Sequence, residues 1–306
     1  MTLTRRQTLT TFAALPASAV AAGLVPSRAE AQTGGTAQQT AQSFTLGEFR
    51  VTTLLAGTTP RDDPHAIFGL NVSDDEFAEV SARNFLPTDV AQFFFTPTLI
   101  DTGSDVVLFD TGLNPAGITA ALAGAGYAPG DITHVVLTHM HGDHIGGLSD
   151  DSGAETFAGA AYITGQAEFD HWAGAGNERF DGKVRPLAER MSFIAPGDDV
   201  RTGITAIDGA GHTPGHMCYR IESGGAGLML IADLANHPVY SLAKPDWEVR
   251  FDQDKAAAAS ARRRILGEIA SEKMPMIGYH MPFPALGYVE ADGDGFRYVP
   301  HSYQLL

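Results

Sequence analysis

Residues 132–147 read ITHVVLTHMHGDHIGG, an apolar, β-branched run followed by three histidines and an aspartate within six positions: His139, His141, Asp143 and His144. The run HVVLT predicts a buried strand, and in extended backbone residues i and i+2 face the same way, so His139 and His141 can meet one ion. Gly142 then allows a sharp turn that brings Asp143 and His144 round from another side, while Gly146 and Gly147 keep bulk away from the ions. A donor set of imidazole and carboxylate without sulfur suits zinc first, with manganese, cobalt or iron as alternatives.

One segment cannot complete such a site, and further along the chain isolated His and Asp residues close other predicted strands. His212 lies in GAGHTPGH after ITAID, Asp233 ends LMLIAD, and His280 ends PMIGYH. The C-terminal ends of buried strands would deliver all three side chains to one rim. The remaining histidines, His65, His134, His171, His237 and His301, are read as structural, and His216 as a support for the site.

Strands outnumber helices along the chain, and helices recur in both halves, which predicts an α+β sandwich of sheets covered by helices. The helices expected are SDDEFAEVSARNFL, opened by Ser73, AGITAALAGAG, GQAEFDHWAG and DKAAAASARRRILGEIAS. With 306 residues, 44% of them hydrophobic, the chain can bury one large core. Its 20 basic against 36 acidic side chains leave a formal charge of −16, which repels phosphate backbones and anionic lipid. The densest basic run, Arg262 to Arg264, reads as a solvated helix face. The single cysteine, Cys218, excludes an intramolecular disulfide and a cysteine-rich metal knot.

Residues 1–31 carry Arg5 and Arg6, a short apolar stretch broken by Pro16, and Ala29-Glu30-Ala31 as a small-x-small cleavage site. They read as a twin-arginine export signal, which implies a periplasmic or secreted protein with no stable membrane insertion after cleavage. Residues 32–43, QTGGTAQQTAQS, are expected to be a flexible linker, with the catalytic domain over 44–306.

The motif His139-x-His141-x-Asp143-His144, followed in order by His212, Asp233 and His280, resembles the metallo-β-lactamase superfamily. Within it the chain is most similar to the methyl parathion hydrolase group, related to the quorum-quenching lactonases. Supporting stretches are TLIDTGSDVVLFDTG, GHTPGH, FDQDKAAAASARRRIL and HMPFPALGYVEADGDGFRYVPHSY. The resemblance runs over roughly residues 46 to 304 and implies a four-layer αββα fold with two divalent metal ions. It implies His139, His141 and His212 on the first ion, Asp143, His144 and His280 on the second, and Asp233 bridging them. Asp110, in LFDTG, would orient a metal-bound histidine, although Asp-Thr-Gly is equally a turn-forming sequence.

Two adjacent ions can share a water and depress its pKa toward about 7, which makes hydroxide the attacking group. Asp143 and Asp233 are then the catalytic candidates, Asp143 for steering the water and moving its proton. Phe94, Phe95, Trp172 and Phe283 are candidates for an apolar pocket, and Trp172 matches a tryptophan of the resembled group. That pocket favours neutral, hydrophobic esters: lactones, aryl esters or phosphotriesters. The lactonases carry a tyrosine three residues after the bridging aspartate, where this chain has Asn236, an amide that can still donate to substrate. The rivals are a thiolester hydrolase of the glyoxalase II type and a non-catalytic exported metal-binding scaffold. The partners expected are a small-molecule substrate and, optionally, a second copy of the chain; nucleic acid is not among them.

Overall fold

A computed structural model describes residues 39–302; the expected export signal of residues 1–31, and linker residues 32–38, lie outside the described residues. Strands β1 (Ala41–Leu46) and β2 (Phe49–Leu54) form a hairpin, and β3 (Gly57–Asp62) pairs with β4 (Val90–Phe95) in a separate ribbon. Helix α1 (Asp74–Arg83) lies between them in sequence, with the Ser73 side chain accepting from Glu76 N and acids in its first turn. Then follow β5 (Thr98–Asp101), β6 (Val106–Phe109), α2 (Pro115–Gly124), β7 (His134–Leu137), α3 (Gly142–Ile145), β8 (Ala161–Gly165), α4 (Gln166–Ala175), α5 (Glu178–Lys183) and β9 (Met191–Ile194). These strands complete a first sheet in the order β1-β2-β5-β6-β7-β8-β9.

The second sheet, in chain order throughout, holds β10 (Asp199–Arg201), β11 (Ile204–Asp208), β12 (Met217–Ser223), β13 (Ala226–Ala232), β14 (Met276–Gly278), β15 (Leu286–Asp292) and β16 (Gly295–Pro300). Helix α6 (Lys255–Glu272) connects β13 to β14, which run parallel, as such a crossover requires. Apolar residues facing both ways explain the layers. Val107, Phe109 and Val136 meet Tyr219, Leu230 and Ile277 in a core between the sheets. Leu108, Val135 and Leu137, one residue out of phase, meet Ile118 and Leu122 of α2 and Phe180 of α5. Both faces of the first sheet are therefore buried, which is why its central strands are uniformly apolar. With α6 packed against the second sheet, the result is the four-layer α+β sandwich expected.

Two details depart from the sequence reading. Strand β1 starts at Ala41, inside the expected linker: Gln42 and Ser43 are polar but pair with Thr53 and Thr52, because an edge strand tolerates polar residues. Arg262 is not part of a solvated face; it is fully buried, on the inward side of α6 with Ala258, Ala261, Ile265 and Ile269, while Arg263 and Arg264 are exposed. Cys218 is buried in β12, its thiol against Ile231 O at 3.4 Å.

Candidate metal centre

The donor residues emerge where strands of both sheets stop. His139 and His141 follow β7, His212 follows β11, Asp233 follows β13 and His280 follows β14. Strand β11 runs antiparallel to β12 and β12 to β13, so β11, β13 and β14 all point to one rim. There the structure gathers His139, His141, His212 and Asp233 into one group and Asp143, His144 and His280 into another, each with donor atoms within 4.8 Å of one another. Asp233 touches both groups: Oδ2 lies 3.3 Å from His212 Nε2 and 3.2 Å from His280 Nε2, and Oδ1 3.2 Å from His144 Nε2.

The far side of each ring decides which nitrogen points inward. His144 Nδ1 is 2.8 Å from Asp110 Oδ2, His212 Nδ1 is 2.9 Å from Asp252 Oδ1, and His280 Nδ1 is 2.8 Å from Phe94 O. Thr138 Oγ1 donates to Asp110 Oδ2 and so accepts from His139 Nδ1 at 3.1 Å. Each of these contacts puts the ring proton outside and a lone pair inside. Inside, His141 Nδ1 sits 3.1 Å from His139 Nε2 and 2.9 Å from His212 Nε2. His144 Nε2 and Asp233 Oδ1 are buried without a hydrogen-bond partner, near one another but not aligned to bond. Converging lone pairs and orphaned buried atoms are a poor arrangement for protons and a good one for divalent cations. The residues fit the metal ions the motif implies.

Electrostatics agree. Burial drives His139 well below its ordinary range and His141 down to about 2. At His144 and His212 burial is outweighed by carboxylates: Asp233 and Asp110 lift His144 well above 6.5, and Asp233 and Asp252 lift His212 to about 9. Burial works against the charged form of Asp233, yet His280 and His144 hold its carboxyl well below the usual range. The centre demands positive charge, which bound metal supplies at the expense of protons.

Three supports escaped the sequence reading. Glu168, fully buried on α4, accepts from Met140 N, Trp172 Nε1, Thr213 Oγ1 and Gly215 N, and so clamps two ligand loops together. Asp252 bridges His212 to Arg262, whose guanidinium also donates to Pro245 O and Trp247 O. Lone acids and an arginine in an alanine-rich helix carry no spacing signal. His216 accepts from Asp233 N through Nε2, and burial lowers its pKa to about 3, so it positions backbone as a neutral ring. Asp110 also accepts from Thr138 N, and its backbone is left-handed at φ 61°. Gly146 and Gly147 face carbonyls rather than the centre: a Cβ there would fall 2.2 Å from Leu113 O and 2.1 Å from Thr111 O.

A cavity of about 320 Å³ opens onto Asp143, Asp233, His141 and His280. Its apolar wall is Phe93, Phe95, Leu113 and Phe251, and its polar rim Arg61 and Arg179. Of the expected pocket residues only Phe95 lines it. In the ribbon Phe93 and Phe95 pair with Thr59 and Gly57 on one face, so Phe94 points the other way and contributes its carbonyl to His280. Trp172 is buried behind His141, ring centroids 5.7 Å apart, with its indole N–H on Glu168. Asn236 is spent on Asp233, Nδ2 to Oδ2 at 3.0 Å. Phe283 lines a different cavity of about 420 Å³, among Pro282, Pro284 and Tyr298, which contains none of the seven donors.

Comparison with known proteins agrees with this geometry. A probable metallo-hydrolase of Mycobacterium tuberculosis is 26% identical over 173 residues, 45% of this chain and 56% of that protein. An N-acyl homoserine lactonase of Bacillus cereus is 26% identical over 162 residues, 52% of this chain and 60% of that protein. The match thus spans little more than half the length of these curated relatives. Among solved structures, the dizinc quorum-quenching lactonase AidC, in complex with a product, superposes with a TM-score of 0.79 at 25% identity, covering 86% of this chain and 98% of that one. The model of the metallo-beta-lactamase superfamily matches residues 96–268, the span from the strand that opens the first sheet's centre to the helix that buries Arg262. On that match, and with the seven donors at one rim, the chain belongs to the metallo-beta-lactamase superfamily.

Proposed function

We propose that the chain is a two-metal hydrolase of carboxylic esters and lactones, with phosphotriesters as a further class. The observation that carries this reading is the convergence of five imidazoles and two carboxylates at the floor of an aromatic-walled cavity. His139, His141 and His212 would hold one ion, Asp143, His144 and His280 the other, with Asp233 between them. Divalent metal held there would supply Lewis acidity toward the reacting oxygen and lower the pKa of water toward neutral.

The chain's own residues do the rest. Asn236 and the Asp233 N–H to His216 bond fix the carboxylate shared by both groups. Asp143 is only half-buried and faces the cavity, so its carboxylate can take the proton of the attacking water and return it to the departing oxygen. Water adds to the carbonyl carbon, the ester C–O bond breaks, and acid and alcohol leave. Phe93, Phe95 and Phe251 hold the apolar part of the substrate and keep bulk water out. The lactonase relatives support the choice of lactones and esters, and a thiolester is the second reading because the same centre serves it. The export signal would place this chemistry in the periplasm or outside the cell.

The test is metal content together with a panel of a γ-lactone, an aryl ester, a phosphotriester and a thiolester. We expect two divalent ions per chain and turnover of a lactone or ester that chelation abolishes and metal restores. Two ions bound with no turnover of any of the four would reject the hydrolase.

A further inference from the structure

The cavity above the donors has two guanidiniums on its rim and, among the described residues, neither is engaged. Arg61 and Arg179 both line it, and neither side chain has a hydrogen-bond or ion-pair partner there. In this chain acids outnumber bases 36 to 20, and several other arginines find carboxylates: Arg185 pairs with Asp181, Arg190 with Glu155, Arg220 with Glu272, Arg263 with Asp246 and Arg297 with Glu290. The two on the rim come from separate elements. Arg61 shares the ribbon face of Phe93 and Phe95, opposite Ala91. Arg179, in the first turn of α5, lies against Gly142 in the middle of the ligand segment, where a Cβ would fall 2.2 Å from its Nη1, 3.0 Å from its Cδ and 3.1 Å from its Cζ. Glycine at 142 is what lets the guanidinium lie across the ligand loop.

We propose that the substrate carries, beside the bond that is cleaved, an ionised acidic group held by Arg61 and Arg179. The inference rests on the hydrolase reading and narrows it: the reacting ester is uncharged, but the molecule that brings it is an anion. A planar guanidinium fork matches an oxyacid, a carboxylate most simply, and two exposed forks on the rim of one cavity add their attraction there. The aromatic residues had pointed to neutral esters, and the formal charge of −16 to a chain that repels anions; the rim reverses that sign locally, where a ligand enters. The apolar wall then takes the segment between the acid and the ester.

The test compares 4-acetoxybenzoate with its neutral isostere 4-acetoxybenzamide on metal-loaded protein. We expect a kcat/KM preference for the benzoate of about tenfold or more, carried by KM, as uniform binding of a remote group requires. In the Arg61→Gln/Arg179→Gln double variant the ratio should fall to within about twofold of one, Arg179→Lys keeping an intermediate value. Gly142→Ala, with metal content unchanged, should lower the ratio by pushing Arg179 aside. A second arm needs no turnover: 2-naphthalenesulfonate, whose sulfonate is a poor metal ligand, should bind the wild type and lose about tenfold in affinity in the double variant. A wild-type ratio near one, or a ratio that survives the double substitution, overturns the proposal. If the sulfonate binds through the two arginines while neither ester nor any of the four panel substrates is cleaved, the anion site stands and the hydrolase reading falls.

Discussion

Asp143 is, with His141, one of two half-buried donors that face the cavity, and the carboxylate of that pair; its substitution separates chemistry from metal binding. Asp143→Asn, assayed with both ions retained, should lose about 10²-fold or more in kcat, the usual worth of a positioned proton carrier; near-normal turnover in a metal-replete variant removes the role. Glu168 tests the scaffold. Its carboxylate accepts four hydrogen bonds, and an amide has only one oxygen to offer. Glu168→Gln should cost roughly 2–4 kcal/mol in denaturant unfolding, since bonds to a charged group are worth about 1.5–3 kcal/mol and some can be rebuilt. It should also weaken metal binding about tenfold or more. The seven donors were legible because their types and spacings are improbable together, four clustered behind one predicted strand and three at the ends of others. Glu168, Asp252 and Arg262 were not, because a single charged residue reads as solvent-exposed until the fold folds it in. Asn236 was placed in the pocket for want of its partner, the Asp233 carboxylate three residues back.

At the scale of elements, alternation along β4 decides which aromatics meet the substrate. Phe93 and Phe95 stand edge-on to the His280 ring, centroids 5.3 and 5.5 Å away, while Phe94 faces out. Phe93→Ala and Phe95→Ala should each lower kcat/KM for an apolar ester by about tenfold, a few kcal/mol of lost contact at most, and Phe94→Ala far less. A larger loss at Phe94 than at its two neighbours would mean the ribbon lies in another register. A run of three phenylalanines does not reveal its own phase; pairing with β3 does, and β3 itself, GTTPRD, was too polar to be read as a strand. Strand β7 carries a pH effect. Burial, then Arg201, lowers the pKa of His134 from 6.5, with Asp105 opposing. The unfolded chain therefore takes up the proton first, and stability present above pH 6.5 is lost as pH falls through that value toward the folded pKa. Between about pH 7.5 and 5, His134→Gln should lose less Tm than the wild type; parallel curves would show that His134 titrates alike in both states.

Over the whole molecule, the donor cluster joins two sheets that also meet through their core and through contacts such as Glu48 N to Ser223 Oγ and Arg201 to Asp105. Donors arrive from the first sheet after β7 and from the second after β11, β13 and β14, so bound metal would tie both halves at one rim. Chelation should lower Tm by roughly 5–10 °C, the size expected if metal at about a hundred times its Kd adds near 2.7 kcal/mol to a domain of this length. An unchanged Tm in a protein shown to have lost its ions would mean the rim is rigid without them. The sandwich itself was readable because both sheets bury apolar strands that alternate or run continuously. Its registers and its ribbon were not, since pairing depends on partners far along the chain. One buried atom sets a rule for anyone handling the protein. The Cys218 sulfur is sealed within the second sheet, and burial pushes its pKa up, so it stays a thiol and stays out of reach. Alkylating or mercurial reagents thus report how often the sandwich opens, and an oxidising environment has no handle by which to link two molecules covalently.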